Sequence, residues 1–358
     1  MTATYRALAL SALLVVSLIG FAAAPAAASH DGDAADCDFP LTVTDDTGTE
    51  VTLDGEAETV VALDAASAQT FWEVGASEKV IGMPVRPYTE YLEGSEERTD
   101  VLTDDGSGVD VETVIELDAD LVVAPNYTPD ATIQQLRDAN QTVYRSPLEE
   151  SFEAIYQKTE LYGHFAGNCE QGAQTAEETR NEVETIREAV ADEESPSVLY
   201  YFFGFTAGSE TFIGDIIETA GGSNVAAEVG ITGFEQISDE SIVEQNPDWV
   251  VTTDNQGAIN TSREAFQNTA AVQNDQVLTV DANLVSQAAP RVVEPLRAMA
   301  EAFHPEAFAE ETETEAMTET ATDTETETQT DTDGDGAGFG VAVAVGALLG
   351  AVFLVRRR

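Results

Sequence analysis

"DVETVIELDADLVVAP" occupies residues 110–125, and "SDESIVEQNPDWVVTT" occupies residues 238–253. The phrases align without a gap: Glu112 with Glu240, Glu116 with Glu244, Asp120 with Asp248, and Val122-Val123 with Val250-Val251. Each opens on a helical pattern with an early glutamate. Each then passes a polar turn, Asp118-Ala119-Asp120 or Asn246-Pro247-Asp248, and enters an apolar run that reads as a buried strand. A helix dipole favours a carboxylate in its first turn, which accounts for Glu112 and Glu240 locally. Duplication of one supersecondary unit accounts for the pair. A device that must present the same surface twice accounts for it more sharply.

Around the repeat, short β-branched runs alternate with helical patterns. Strands are expected at 60–63, 80–83, 121–124, 142–144, 198–202, 249–252 and 277–280, bounded by Gly, Pro, Asp or Asn. Helices are expected between them, at 67–74, 128–139 and 212–220 among others. Such alternation points to α/β units built on mainly parallel sheets. One segment breaks it. Residues 169–193 are rich in Glu, Arg and Ala, with Ala173, Ala176, Thr179, Val183, Ile186 and Val190 at helical spacing. A single helix of about 20 residues, about 30 Å long, is expected there as a stiff connector between two lobes. The body thus divides into an N-terminal lobe at 36–168, a connecting helix at 169–193 and a C-terminal lobe at 196–309.

The ends of the chain read as address and tether. Arg6, the apolar run 7–21 and Ala26-Ala27-Ala28 form an export signal over residues 1–28. Residues 310–336 are almost only Thr, Glu, Asp, Ala and Gly, a stalk that cannot bury an apolar face. Residues 337–358 hold "GFGVAVAVGALLGAVFLV" followed by Arg356, Arg357 and Arg358, a transmembrane or sorting segment whose positive end stays cytoplasmic. The body is therefore expected outside, anchored to the cell membrane. This tail resembles the archaeosortase-processed signal of haloarchaeal surface proteins, with Ala337-Gly338-Phe339 where that signal carries Pro-Gly-Phe.

The formal net charge is −52, from 67 acidic and 15 basic residues. Eleven of the acids fall in the stalk, so the excess belongs to the body. Self-repulsion of this size destabilises a compact state in dilute buffer, but the Debye length falls to about 3 Å in molar salt. An extreme halophile is the economical reading. Nucleic acid is excluded as a partner by the sign of the surface. Cys37 and Cys169 are the only cysteines. In an exported chain an even pair indicates a disulfide.

Taken together these passages resemble the substrate-binding proteins of ABC importers that carry iron–siderophores, haem and cobalamin. "FPLTVTDDTGTEVTL", the two repeated phrases, "TAGSETFIGDIIETAGGSNVA" and "AAPRVVEPLRAMAEAF" carry the resemblance across nearly the whole body. It implies two Rossmann-like α/β lobes joined by one long connecting helix (the class III periplasmic-binding-protein fold). It implies an ABC permease dimer with its ATPase as partner, and docking of Glu112 and Glu240 to arginines on the two permease subunits. The chain is expected to be a monomer and not an enzyme. No G-x-S-x-G elbow, P-loop or His-rich zinc motif is present, and an all-β adhesion protein does not fit the strand–helix alternation.

Pockets of such lobes lie at loops that follow the strands. Here those loops carry Tyr88, Tyr91, Tyr127, Phe203 and Phe205, with Phe234 just before the second phrase. Aromatic walls with few charges suit a large, flat, partly apolar ligand. His30, His164 and His304 are too few and too scattered for a free Zn²⁺ or Mn²⁺ site, so no protein-held metal and no catalytic cofactor is expected. Arginines near the loops are few: Arg86, Arg145 and Arg291. A triply anionic siderophore usually needs a basic pocket. "PYTEYL" and "LVSQAAPRVV" resemble the vitamin B12-binding proteins, which implies ligand contacts from Leu284 and Gln287 and makes cobalamin the favoured cargo. An Fe(III)–siderophore or haem is the alternative.

Overall fold

The computed structural model describes residues 37–254 and 259–309. The export signal, the stalk and the C-terminal apolar segment lie outside these residues. Among the described residues no helix is long and apolar enough to cross a membrane.

The chain opens on an antiparallel hairpin, β1 (Leu41–Thr44) and β2 (Glu50–Leu53). Then β3 (Val60–Ala62), α1 (Ala65–Glu73), β4 (Val80–Met83), β5 (Thr99–Asp100), α2 (Val111–Leu117), β6 (Leu121–Ala124), α3 (Asp130–Asp138) and β7 (Val143–Arg145) follow. The five strands β3 to β7 pair in the order β5-β4-β3-β6-β7, every pair parallel. Both faces of a parallel sheet are covered by crossover helices, so its strands read as unbroken apolar runs. Val60 and Ala62 enter one core with Phe71 of α1, while Val61 and Leu63 enter another with Val114 of α2 and Ile133 and Leu136 of α3.

Two helices come next, α4 (Phe152–Phe165) and α5 (Cys169–Ala189). The expected long helix is α5, and it is not alone. A Cβ on Gly163 of α4 would stand 2.7 Å from the Cα of Gly172 of α5, so the two backbones touch where the helices meet. Phe152, Ile155 and Tyr156 of α4 pack into the second lobe, whereas Tyr162 and Phe165 pack into the first. α5 divides in the same way. Its start is tied to the first lobe by Thr175 Oγ1 donating to Glu73 O at 3.1 Å, while Val183 and Ile186 lie in the second core. The Cys37–Cys169 disulfide forms as expected, with Cα atoms 5.5 Å apart.

The second lobe repeats the plan with β8 (Ser197–Tyr201), β9 (Phe205–Ala207), α6 (Phe212–Thr219), β10 (Ser223–Asn224), α7 (Val225–Glu228), β11 (Phe234–Gln236), α8 (Asp239–Gln245), β12 (Trp249–Thr253), α9 (Glu264–Gln267), α10 (Ala270–Gln273), β13 (Val277–Val280), α11 (Ala282–Val285) and α12 (Val293–Phe303). A parallel sheet runs β10-β8-β12-β13, and β9 with β11 forms a separate antiparallel ribbon. Each expected strand is present to within a residue or two of its ends. The architecture is the expected one of two α/β lobes with parallel sheets.

Candidate functional site

The repeated phrases fold alike in detail. Asp110 and Ser238 cap α2 and α8 by accepting from Thr113 N and Ser241 N. Both helices end on a left-handed residue, Asp118 at φ 45° and Asn246 at φ 44°. Asx residues tolerate that conformation better than most. Beyond the turn, Asp120 Oδ2 accepts from Thr59 N (2.9 Å) and Thr59 Oγ1 (2.9 Å), and Asp120 N donates back to Thr59 Oγ1 (3.0 Å). Asp248 does the same with Ser197: 3.0 Å, 2.7 Å and 2.9 Å. Each aspartate thus pins the start of one central strand to its neighbour. Glu112 and Glu240 stand exposed on the first turns of α2 and α8, each clear of this latch.

Because β3, β4, β6 and β7 are parallel neighbours, their C-terminal ends share one edge. Asp64, the cap of α1, follows β3; Tyr88 follows β4; Tyr127 follows β6; and Glu149 follows β7. Tyr127 is 73 % exposed, yet its phenol is pushed above the ordinary tyrosine range. Surrounding protein is the main cause, followed by Asp64, Tyr88 and Glu149. Enclosure likewise raises the Asp64 carboxyl, and the Lys158 ammonium opposes it.

On the second lobe, Phe202 and Phe205 exchange backbone hydrogen bonds (3.1 and 2.7 Å) around Phe203 and Gly204. Both central residues have positive φ, 47° and 89°, as a two-residue primed hairpin requires. Phe203 therefore holds a backbone conformation rare for a bulky residue, and the residue is 61 % exposed. Phe205 and Phe234 come from the ribbon beneath. Phe202, part of the expected strand 198–202, is the hub: its ring centroid lies 6.1 Å from Phe205 and 5.9 Å from Phe234.

The lobes meet through buried polar contacts. Tyr91 OH donates to Gln287 Oε1 (2.6 Å), Gln69 Nε2 donates to Gln287 Oε1 (3.2 Å) and to Tyr91 OH (2.7 Å), and Arg291 N donates to Gln69 Oε1 (3.0 Å). Gln287 Nε2 reaches Tyr88 O at 3.3 Å. Lys158 Nζ donates to Ala288 O across the same seam. Of the expected ligand contacts, Tyr91 and Gln287 are engaged in this network, and Leu284 is buried beside it. Tyr88, Tyr127, Phe203 and Phe234 remain exposed. Gln69 and Lys158 are residues of the seam that sequence reasoning missed. A lone polar residue inside a helix looks the same whether it faces water or a partner lobe.

Every arginine near the loops is paired with acid. Arg86 bonds Asp100, Arg145 bonds Asp46 and Asp130, and Arg291 bonds Glu294. Among the described residues, Cys37, His164 and Cys169 are the one group of potential metal ligands that converges, and the disulfide occupies both sulfurs. Among the described residues, one surface cavity of about 430 Å³ lies by Ser195, Asn224 and Glu228 at the opposite end of the second sheet. Another, about 330 Å³, lies behind the seam between Glu73, Thr179 and Arg291. Neither cavity is lined by the aromatic residues at the strand ends.

Comparison with known proteins agrees with this geometry. The family profile of periplasmic binding proteins matches residues 60–284. A cobalamin-binding protein of Halobacterium salinarum is 40% identical over 313 residues, 84% of each chain. An ABC transporter substrate-binding lipoprotein of Bacillus subtilis, YvrC, is 30% identical over 284 residues, 76% of this chain and 88% of that one. Among solved structures, the periplasmic vitamin B12-binding protein BtuF of Vibrio cholerae superposes with a TM-score of 0.61 at 21% identity, over 69% of this chain and 96% of its own. A twice-written phrase, two parallel sheets braced by paired helices and aromatic strand ends at their seam thus lead to one assignment: the chain belongs to the periplasmic binding protein family.

Proposed function

We propose that this chain captures cobalamin between its two lobes and delivers it to an ABC import permease and its ATPase. The observation that carries the reading is the 40% identity, over 84% of both chains, to a cobalamin-binding protein. The site chemistry supports it. Exposed Tyr88, Tyr127, Phe203 and Phe234 offer flat apolar contact from both lobes, with Phe205, Tyr91, Leu284 and Gln287 completing the walls. The neighbouring arginines are already committed to carboxylates, which disfavours a highly anionic chelate. Glu112 and Glu240, exposed on matching helices, are the two contacts for the permease dimer. In strong salt their long-range steering is screened, so docking relies on bidentate arginine pairing at contact range.

The lobes are taken as 36–168 and 196–309 with 169–193 between them. The export signal at 1–28, the stalk at 310–336 and the anchor at 337–358 place the body on the outer face of a halophile's membrane. Fluorescence titration of the full-length chain in high salt, with cobalamin, haem and ferric hydroxamates, tests the cargo. Cobalamin is expected to bind at least about tenfold tighter than either alternative, a difference of about 1.4 kcal/mol. Tighter binding of haem or of a ferric hydroxamate would replace cobalamin with that ligand.

A further inference from the structure

The first-lobe edge carries two carboxylates that the fold does not fully use. Asp64 commits Oδ1 to capping α1, accepting from Ser67 N at 3.4 Å. Glu149 commits Oε1, accepting from Ser146 Oγ at 2.6 Å and lying 3.7 Å from Lys158 Nζ. Among the described residues, no hydrogen bond is found to Glu149 Oε2, and the Asp64 carboxylate takes only the Ser67 amide and hydroxyl. Lys158 itself is 5 % exposed and is directed to Ala288 O, so it neutralises one carboxylate from behind instead of facing the cleft. The nearby guanidinium groups of Arg86, Arg145 and Arg291 are each held by other acids. The edge framed by Tyr88 and Tyr127 is therefore an acceptor surface with one net negative charge when both carboxylates are ionised.

Such a surface discriminates by the rim of the ligand. A primary carboxamide donates an N–H to a carboxylate oxygen in a charge-assisted bond. A ligand carboxylate brought to the same place faces like charge with both groups desolvated, which penalises the wrong ligand more than the right one is rewarded. Resting on the corrinoid reading above, we propose that Asp64 and Glu149 select carboxamide-rimmed corrinoids against macrocycles and corrinoids whose rim carries carboxylates.

The test uses the full-length chain and two probes, cobalamin and its monocarboxylates, in which one rim carboxamide is hydrolysed. Affinities are measured for wild type, D64N, E149Q and the double variant. Asn caps α1 as well as Asp does and Gln keeps the Ser146 hydrogen bond, but E149Q and the double variant leave the buried Lys158 ammonium without its counter-charge. A lowered melting temperature is therefore expected for both, and affinities are compared at a temperature where each variant is folded. Wild type is expected to prefer cobalamin over at least one monocarboxylate isomer by about tenfold or more. In D64N/E149Q that preference falls to within about threefold, mainly because the monocarboxylate binds better. A double variant that binds cobalamin and keeps the wild-type preference overturns the inference and leaves the corrinoid assignment standing. A wild-type chain that binds no cobalamin overturns both.

Discussion

Tyr91 OH and Gln287 Oε1 lie 2.6 Å apart, a hydrogen bond that joins residues 196 positions apart in sequence and belongs to opposite lobes. Gln69, fully buried, closes the triangle. The seam is thus a fixed polar joint between the lobes. Tyr91→Phe removes one donor and should lower the unfolding free energy by about 1 kcal/mol. Gln287→Leu removes the acceptor shared by Tyr91 OH and one N–H of the buried Gln69 amide and should cost more, about 2–3 kcal/mol. Denaturant melts of the two variants check the order. Equal losses would mean that Gln69 finds another partner.

Glu112→Ala combined with Glu240→Ala should abolish uptake in cells while leaving cobalamin affinity unchanged. Each glutamate is exposed on a first helical turn, so the stability cost is about 0.5 kcal/mol apiece. Transport assays and ligand titrations of the same variant separate docking from binding. Normal uptake by the double variant would remove the docking role.

Phe203→Gly should move stability and affinity in opposite directions. Glycine relieves the positive φ of 47° and should stabilise the turn by about 1 kcal/mol. Losing an exposed ring at the cleft should weaken cobalamin binding about tenfold, the range expected for removal of an aromatic contact. Thermal melts and titration read the two signs independently.

The strands and the repeat were legible because a parallel sheet demands unbroken apolar runs, and a duplicated helix–turn–strand unit keeps its capping and turn residues in register. The part played by Asp120 and Asp248 was visible only as an alignment, since nothing local shows that each reaches back to the start of a distant strand. α4 escaped reading because its buried face carries Lys158, Thr159 and Gly163 among the aromatics, and because it serves two cores at once. The seam was hidden for a related reason. Whether Gln69 or Gln287 meets water, ligand or another lobe depends on how the lobes dock, and no sequence period records that.

Asp45 ties the β1–β2 turn to α3 and β7. Its carboxylate accepts from Thr47 Oγ1, Thr49 N, Arg145 N and Arg137 Nη2, the last at 2.5 Å. Burial alone would raise its pKa, but these hydrogen bonds together outweigh burial and hold it below the usual aspartate value. Stability from a depressed carboxylate is present above the unfolded-state pKa of about 3.9 and is lost as pH falls through the lower folded value. Asp45→Asn should therefore be less stable than wild type near neutrality, and the gap should narrow as pH drops below about 4. Melts across that range check the trend; a constant gap would assign the effect to shape.

The Cys37–Cys169 bridge closes a loop of 132 residues around the hairpin, the whole five-stranded sheet and α4. A protease that nicks any surface turn inside this ring cannot release a fragment. The severed ends stay stapled to α5, and only a thiol reductant would separate them on a gel. One cut in the first lobe therefore leaves both lobes on a single covalent particle.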